Sequence, residues 1–369
     1  MRVAAYAQVS RTWQPTGVGK HIIQMIRGLA NSNRVDLEVL SPRARLEDFG
    51  RLATGGPFAG LVVRSIPWPR WLLEKSWALV SRPRVDTWCN KPDWVYCPSE
   101  VYVPSRVAKT AVTIHCVNWF EPELPWYNAV ATRSTRRALS VSWRPVLRKA
   151  DIIFTVSEFL KARLIALMGI EERRIHVVGN GVEECFFEAA ASPPGRSCRP
   201  QPYVVVVGGL TERKGGAAVI HVAKELGRRS AGIDVVVVGI SEPRFATALP
   251  NVKHVGYLSS ESGLPQLIRG AIALLFLSRY DTFGIPAAEA MAVGTPAIVS
   301  RYAGLPEVVG DAGIVVDMEQ PKEIADIIIY LHRHESKRRT YIDRGQERAS
   351  RFRWSVAVER AISAMRGLQ

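Results

Sequence analysis

Tyr203-Val204-Val205-Val206-Val207-Gly208-Gly209 opens a stretch that reads YVVVVGGLTERKGGAAVIHVAKELGRRSAGIDVVVV through residue 238. Its first five residues are an unbroken apolar run, rich in β-branched side chains. A parallel strand buried on both faces has this composition. A helical pattern is expected from about 216 to 229, and a second apolar run at 233–238 closes at Gly239. The stretch is therefore a strand–helix–strand unit.

Working outward, the same alternation continues. Further strands are expected at 252–257, 271–277, 296–300 and 313–316, with helices at 264–270, 287–292 and 321–333. This is the signature of a doubly wound parallel sheet. The first half repeats the theme, with strands at 2–7, 36–40, 61–66, 94–96, 111–114, 152–156 and 175–178. A helix from about 20 to 30 follows Gly17-Val18-Gly19. A chain of 369 residues exceeds one ordinary core, so two α/β domains are expected. Residues 189–200 are rich in Pro, Gly and small side chains without periodicity, and read as part of a linker. The expected organisation is an N-terminal domain over 1–184, a linker over 185–202, a C-terminal domain over 203–350, and a last segment, 351–369, packing back on the first domain.

Composition narrows the function classes. An apolar content of 47% with 22% charged residues fits a soluble globular protein. The opening residues, Met1 to Ala7, read as a strand and not as a signal peptide. No apolar window is long enough to span a bilayer. Cys89, Cys97, Cys116, Cys185 and Cys198 are odd in number and form no Cys-x-x-Cys pair. A disulfide framework or zinc site is not expected, and a reducing cytoplasm is. The net charge is +15, and its excess lies mainly in residues 1–185, with 26 Lys and Arg against 16 Asp and Glu. Such a field attracts phosphorylated ligands, an acidic membrane surface or nucleic acid. Nine of the ten tryptophans also precede residue 150, so the two halves present different surfaces or partners.

In open α/β sheets, ligands sit beyond the carboxyl ends of the strands. One suggestive segment there is Gly208-Gly209-Leu210-Thr211-Glu212-Arg213-Lys214-Gly215-Gly216. Glycines admit a ligand to the backbone, two adjacent cations face phosphate charge, and a helix N-terminus follows. A tight turn with solvated cations is the blander reading. A second segment is Tyr280-Asp281-Thr282-Phe283-Gly284-Ile285-Pro286-Ala287-Ala288-Glu289. Pro286 suits a first helical turn, and Asp281 and Glu289 offer carboxylates to sugar hydroxyls. The blander reading makes Asp281 a helix cap and Glu289 part of a solvent face.

From Leu277-Ser278 through Thr282-Phe283-Gly284-Ile285-Pro286, Glu289-Ala290-Met291-Ala292 and Gly294-Thr295-Pro296, and on to Pro306-Glu307 and Gly310-Asp311-Ala312-Gly313, the sequence closely resembles family-4 glycosyltransferases of the GT-B fold. The likeness extends to residues 150–158, to Gly179-Asn180-Gly181-Val182 and to Thr16-Gly17-Val18-Gly19, and is weakest between about 45 and 110.

The resemblance implies two Rossmann-like domains facing across a cleft and a retaining transfer of a hexose from a nucleotide-diphosphate sugar. It leans toward the mannosyltransferase-like branch and GDP-mannose. Glu289 matches the carboxylate that binds the nucleotide ribose, and Asp281 stands where the family usually has Glu against donor-sugar hydroxyls. Amides of Phe283, Gly284 and Ile285 would hold the sugar and a phosphate oxygen, while Lys214 and Arg213 match the diphosphate cations. His115 matches the active-site histidine of the first domain, and Gly17 and Gly19 its glycine loop. Cations and helix N-terminal amides would stabilise the leaving diphosphate. There is no Asp-x-Asp motif, so no metal and no cofactor are expected. The leaving phosphate would accept the acceptor's proton in a front-face attack. Three positions depart from the family pattern. Gly209 replaces a frequent phosphate-binding Arg, with Arg213 as its compensation; Asp281 replaces Glu; and Cys116 follows His115 where Asp is common.

A phosphate-binding P-loop at Gly17-Val18-Gly19-Lys20-His21 lacks the required spacing and hydroxyl residue. A nicotinamide enzyme would need Gly-x-Gly-x-x-Gly after a strand, which is missing. The alternatives that remain are a catalytically impaired nucleotide-sugar-binding protein and a basic nucleic-acid-binding protein. The latter carries none of the recognition motifs, so nucleic acid is not an expected partner.

The expected acceptor is a saccharide or a lipid-linked acceptor. Arg133, Arg137, Arg144 and Arg148 would share one helical stripe, unless Pro145 splits the helix in two. Residues 67–77 mix tryptophan with basic residues, as interfacial segments do. An anionic membrane surface is thus a further partner, with peripheral placement at the inner face. Core tryptophans and solvated arginines are the blander reading.

Overall fold

The computed structural model describes residues 1–7, 17–42, 58–124, 133–192, 199–245 and 249–368. It divides into two compact units, one of Met1–Gly179 with Trp354–Gln369, the other of Asn180–Arg353.

The first unit is built on a seven-stranded sheet. Its strands are β1 (Arg2–Tyr6), β2 (Asp36–Pro42), β3 (Val63–Ile66), β4 (Trp94–Cys97), β5 (Lys109–Ile114), β6 (Ile152–Thr155) and β7 (Ile175–Val177). Their order is β3-β2-β1-β4-β5-β6-β7, and every pairing is parallel. The order reverses between β1 and β4, which makes that the switch point of the sheet. Helix Gly17–Ala30 lays His21, Ile22, Met25, Ile26 and Leu29 against the core. The final helix, Trp354–Gly367, packs on it through Trp354, Ala357, Val358, Ala361, Ile362 and Met365. Close approach is possible because Gly28 faces Val358; a Cβ there would lie 2.4 Å from Val358 Cγ2.

The second unit has six parallel strands, β8 (Tyr203–Val207), β9 (Asp234–Val238), β10 (Val252–Gly256), β11 (Leu274–Phe276), β12 (Ala297–Ser300) and β13 (Ile314–Val316), in the order β10-β9-β8-β11-β12-β13. The chain moves outward from β8 to β10 and then crosses to β11 on the other side, so the switch point lies between β8 and β11. The valine runs of β8 and β9 are buried along almost their whole length, as strands covered on both faces must be.

One expectation needs correction, and one open alternative is settled. Residues 185–202 are not a linker throughout. Glu184–Ala191 forms a helix whose Phe186 and Ala189 are buried, and it packs on helices Leu264–Arg269 and Ile285–Val293 of the second unit. Its alanine run favours helix, and its apolar face needs a core. The boundary consequently falls at Gly179, before the helix, and residues 193–198 lie outside the described residues. Nor does Pro145 split the arginine-bearing segment, since Arg133–Lys149 is one helix with Pro145 inside it. Among the described residues, no helix is long and apolar enough to cross a membrane.

Candidate active site

The loops that follow β8 and β11 flank the switch point of the second unit, and they carry most of the residues singled out in the sequence. After β8 the chain turns sharply at Gly208 and Gly209, whose amides both reach Val238 O, at 2.8 and 2.7 Å. Both glycines have positive φ. A Cβ on Gly209 would lie 1.9 Å from Ile240 O. No arginine fits here, which is the physical reason for the departure noted at this position. The loop is tied to its neighbour after β9, since Leu210 N donates to Ser241 Oγ at 2.9 Å and Glu242 N to Leu210 O at 2.8 Å.

Lys214 turns inward. Its Nζ lies 5.7 Å from the centroid of the Phe276 ring and would sit 1.9 Å from a Cβ on Gly208. Burial pushes the ammonium below its ordinary pKa, and Arg213 adds to that while Asp281 opposes it. A half-buried, desolvated ammonium with no ion-pair partner among the described residues is suited to accept an anion.

Arg213 reaches the second loop. Its Nη1 donates to Tyr280 O at 2.7 Å and lies 3.6 Å from Asp281 Oδ2. Arg279 N donates to Arg213 O at 2.8 Å, and Ser278 Oγ lies 3.2 Å from both Arg213 O and Tyr280 O. Ser300 Oγ, at the end of β12, in turn donates to Ser278 O. These two fully buried hydroxyls were not among the expected site residues. A serine between an apolar strand and a motif loop is their only trace in the sequence.

The second loop closes on Gly284, which caps helix Ile285–Val293 in a left-handed conformation, with Pro286 in the first turn. The cap is thus Gly284 and not Asp281. Asp281 O accepts from Gly304 N at 3.0 Å. Phe283 is buried and meets Phe352 edge-on at 5.4 Å. Glu289 is 2% exposed in a helix whose other buried residues are all apolar. The solvent-face reading of Glu289 therefore fails. A carboxylate is retained in such a place only with strong local partners. Lys214, Arg213, Asp281, Phe283, Gly284, Ile285 and Glu289 all belong to this one region of the second unit.

His115, Gly17 and Gly19 belong to the first unit. Gly17 and Gly19 open helix Gly17–Ala30, while Thr16 lies outside the described residues. His115 follows β5. Its backbone N donates to Glu100 Oε1 at 2.7 Å, and its Nε2 is 2.9 Å from Pro98 O at the end of β4. Its ring stands edge-on to His21, 4.6 Å between centroids, and His21 meets Trp354 at 5.6 Å. Helix Gly17–Ala30, β5 and the final helix converge on these rings. The neighbouring Cys116 Sγ donates to Asn118 Oδ1 at 3.0 Å. His21 enters the sequence reading only in the rejected P-loop, with no role of its own.

Comparison with known proteins fits this geometry. Residues 194–348 match the glycosyl transferases group 1 family, and residues 15–184 match glycosyltransferase family 4. The O-antigen chain mannosyltransferase B of Escherichia coli is 24% identical, with 95% of each chain aligned. Among solved structures, sucrose-phosphate synthase of Thermosynechococcus elongatus superposes with a TM-score of 0.73 at 18% identity, over 100% of this chain and 98% of that one. The Anabaena protein HepE, in complex with UDP-glucose, does so with 0.69 at 16% identity over the whole of both chains. Two parallel sheets with reversed strand order, and a cation-and-carboxylate region at the switch point of the second, accompany these matches along almost the whole sequence, and the chain belongs to the family-4 glycosyltransferases of the GT-B fold.

Proposed function

We propose that the protein transfers a hexose from a nucleotide-diphosphate sugar to a saccharide or lipid-linked acceptor, with retention at the anomeric carbon and without a metal ion. The observation that carries this reading is the half-buried, desolvated Lys214, set beside Arg213 and Asp281 at the β8–β11 switch point, with Glu289 buried one helix turn beyond. In the proposed reaction the bond from the anomeric carbon to the phosphate oxygen breaks. Lys214 and Arg213 take up the charge that develops on the diphosphate. The acceptor oxygen attacks from the same face, and its proton passes to the leaving phosphate. Asp281 holds donor-sugar hydroxyls, Glu289 the ribose, and amides of Phe283, Gly284 and Ile285 the sugar and a phosphate oxygen. On the first unit we assign His115 to the transfer step and Gly17 and Gly19 to donor contacts.

GDP-mannose is the proposed donor. The motif resemblance and the naming of the Escherichia coli relative as a mannosyltransferase support it. We place the reaction in the cytoplasm, in keeping with the reduced, buried thiols of Cys89 and Cys97.

Calorimetry of GDP and UDP binding, with hydrolysis of GDP-mannose and UDP-glucose, tests the reading. Glu289→Ala is expected to weaken GDP binding by about 1.5–3 kcal/mol in a protein that remains folded. Unchanged affinity removes Glu289 from the ribose, and preference for UDP-glucose removes GDP-mannose. A second reading, nucleotide-sugar binding without transfer, draws on the engagement of Asp281 by Arg213. Tight donor binding with no hydrolysis or transfer would establish it.

A further inference from the structure

Helix Arg70–Val80 is apolar on two sides. Its inner side is fixed in the first unit: Leu73 and Trp77 are buried, the Trp77 ring meets Tyr6 edge-on at 5.1 Å, and its Nε1 donates to Pro83 O at 2.7 Å. Its outer side is left in solvent. Trp71 is 69% exposed and Leu79 61%, with Leu72 and Val80 also exposed. Residues 71, 75 and 79 succeed one another every four residues and so form a single ridge, Trp71-Lys75-Leu79, with Leu72 beside it. A tryptophan and aliphatic side chains around a lysine, on an anchored helix, form an exposed apolar patch of the kind that marks an interaction surface.

Charge identifies the occupant. Helix Arg133–Lys149 packs alongside, and Lys149 Nζ donates to Ser81 Oγ at 2.7 Å. This second helix carries six cations and no carboxylate. Its Trp143 and Val146 point inward, while Arg133, Arg137, Arg144 and Arg148 are exposed along one stripe. The only acid on helix Arg70–Val80, Glu74, accepts from Tyr6 Oη at 3.0 Å and from Arg70 Nε at 2.9 Å, so its charge is held inside the fold. Arg82 and Arg84, both exposed, follow directly. A polyphosphate chain would use the cations and have no use for Trp71, Leu79 and Val80. An anionic bilayer uses both.

We propose that helix Arg70–Val80 docks the protein on an anionic lipid surface, with Trp71 and Leu79 entering the headgroup boundary, Lys75 extending to the phosphates, and the arginine stripe of Arg133–Lys149 neutralising lipid charge. The surface lies on the first unit and involves none of the donor-binding residues, so its test does not depend on the donor chemistry proposed above.

The test is co-sedimentation of the full chain with phosphatidylcholine vesicles and with equimolar phosphatidylcholine–phosphatidylglycerol vesicles, at low and high salt. Pelleting is expected only with phosphatidylglycerol, and is expected to weaken as salt rises. The variant Arg137→Gln/Arg144→Gln/Arg148→Gln should lose about fivefold in partitioning per arginine, the equivalent of roughly 1 kcal/mol each. Trp71→Ser/Leu79→Ser should lose about tenfold while keeping its salt dependence. Unchanged melting temperature and circular dichroism show that both variants fold. Equal pelleting with neutral vesicles, none with anionic vesicles at low salt, or wild-type partitioning by both variants overturns the proposal. So does a concentration-dependent dimer that Trp71→Ser abolishes without any vesicle binding, which would assign the face to a second copy of the chain.

Discussion

Lys214 Nζ occupies the space that a side chain on Gly208 would need, since a Cβ at Gly208 would lie 1.9 Å from it. The glycine also has a φ of +100°, which L side chains rarely adopt. Gly208→Ala should therefore strain the turn and expel the ammonium together. Stability should fall by about 1–3 kcal/mol, and GDP binding should weaken. The double variant Gly208→Ala/Lys214→Ala removes the clash but keeps the strained turn. Thermal unfolding should find it less impaired than the sum of the singles. Strict additivity would show that the close approach of Lys214 does not matter.

The same burial makes Lys214 a proton-linked group. Its pKa in the folded chain is lowered by desolvation, so the unfolded state holds the proton to higher pH. Between the folded and unfolded values the unfolded state binds more protons, and stability rises with pH across that window. Lys214→Met should accordingly stabilise the empty protein below the window. A bound diphosphate favours the charged form. GDP binding should then take up a proton above the lowered pKa, and affinity should fall as pH rises further. Calorimetry in buffers of different ionisation enthalpy reads the uptake. Lys214→Arg should bind GDP without it; uptake that persists in that variant belongs to another group.

Much of the fold was legible because strands buried on both faces advertise themselves. The valine runs at 203–207 and 234–238 fixed β8 and β9 almost to the residue. Most of helix Glu184–Ala191 falls in the stretch that reads as linker, because short alanine-rich helices look like spacers until their packing partners are known. Lys214 was legible as a cation beside glycines, but its inward direction was not, because that depends on Phe276 and Gly208 closing around it. Glu289 was placed by its motif alone, and nothing in local pattern distinguishes a buried carboxylate from one on a solvent face. His21 stayed hidden for a similar reason: its contacts with His115 and Trp354 join residues far apart in the chain.

Gly28 and Val358 give a test of the packing that closes the first unit. Alanine at a helical glycine ordinarily stabilises by about 1 kcal/mol. At Gly28 the added Cβ would lie 2.4 Å from Val358 Cγ2, between helices Gly17–Ala30 and Trp354–Gly367. Gly28→Ala should lower the melting temperature despite its helix propensity. Adding Val358→Ala should recover much of the loss. A stabilised single variant would mean that the two helices separate readily.

The last prediction concerns Ser278 and Ser300, which touch no expected ligand position yet hold the residues that do. Ser278 Oγ is within hydrogen-bond distance of Arg213 O and Tyr280 O, at 3.2 Å each, and Ser300 Oγ donates to Ser278 O. Through Arg213 O, this chain fixes the Lys214 loop to the loop of Asp281. Ser278→Ala removes one hydroxyl donor shared between Arg213 O and Tyr280 O in a buried place, while Arg279 N and Arg213 Nη1 still donate to them, at a cost of about 0.5–1.5 kcal/mol. Because both residues are positioning residues, the loss should appear in donor handling more than in stability. The expected outcome is a fall of about tenfold in kcat/KM for the donor, from a loss near 1.4 kcal/mol in transition-state stabilisation. Ser300→Ala should act in the same direction but less strongly, since it leaves both contacts of Ser278 Oγ in place. The double variant should lose about the sum of the two, because Ser300 Oγ donates to the backbone carbonyl of residue 278, which Ser278→Ala retains. If melting temperature falls while kcat/KM does not, the serines serve only the core. A double variant no worse than Ser278→Ala alone would mean that Ser300 acts only through the Ser278 hydroxyl.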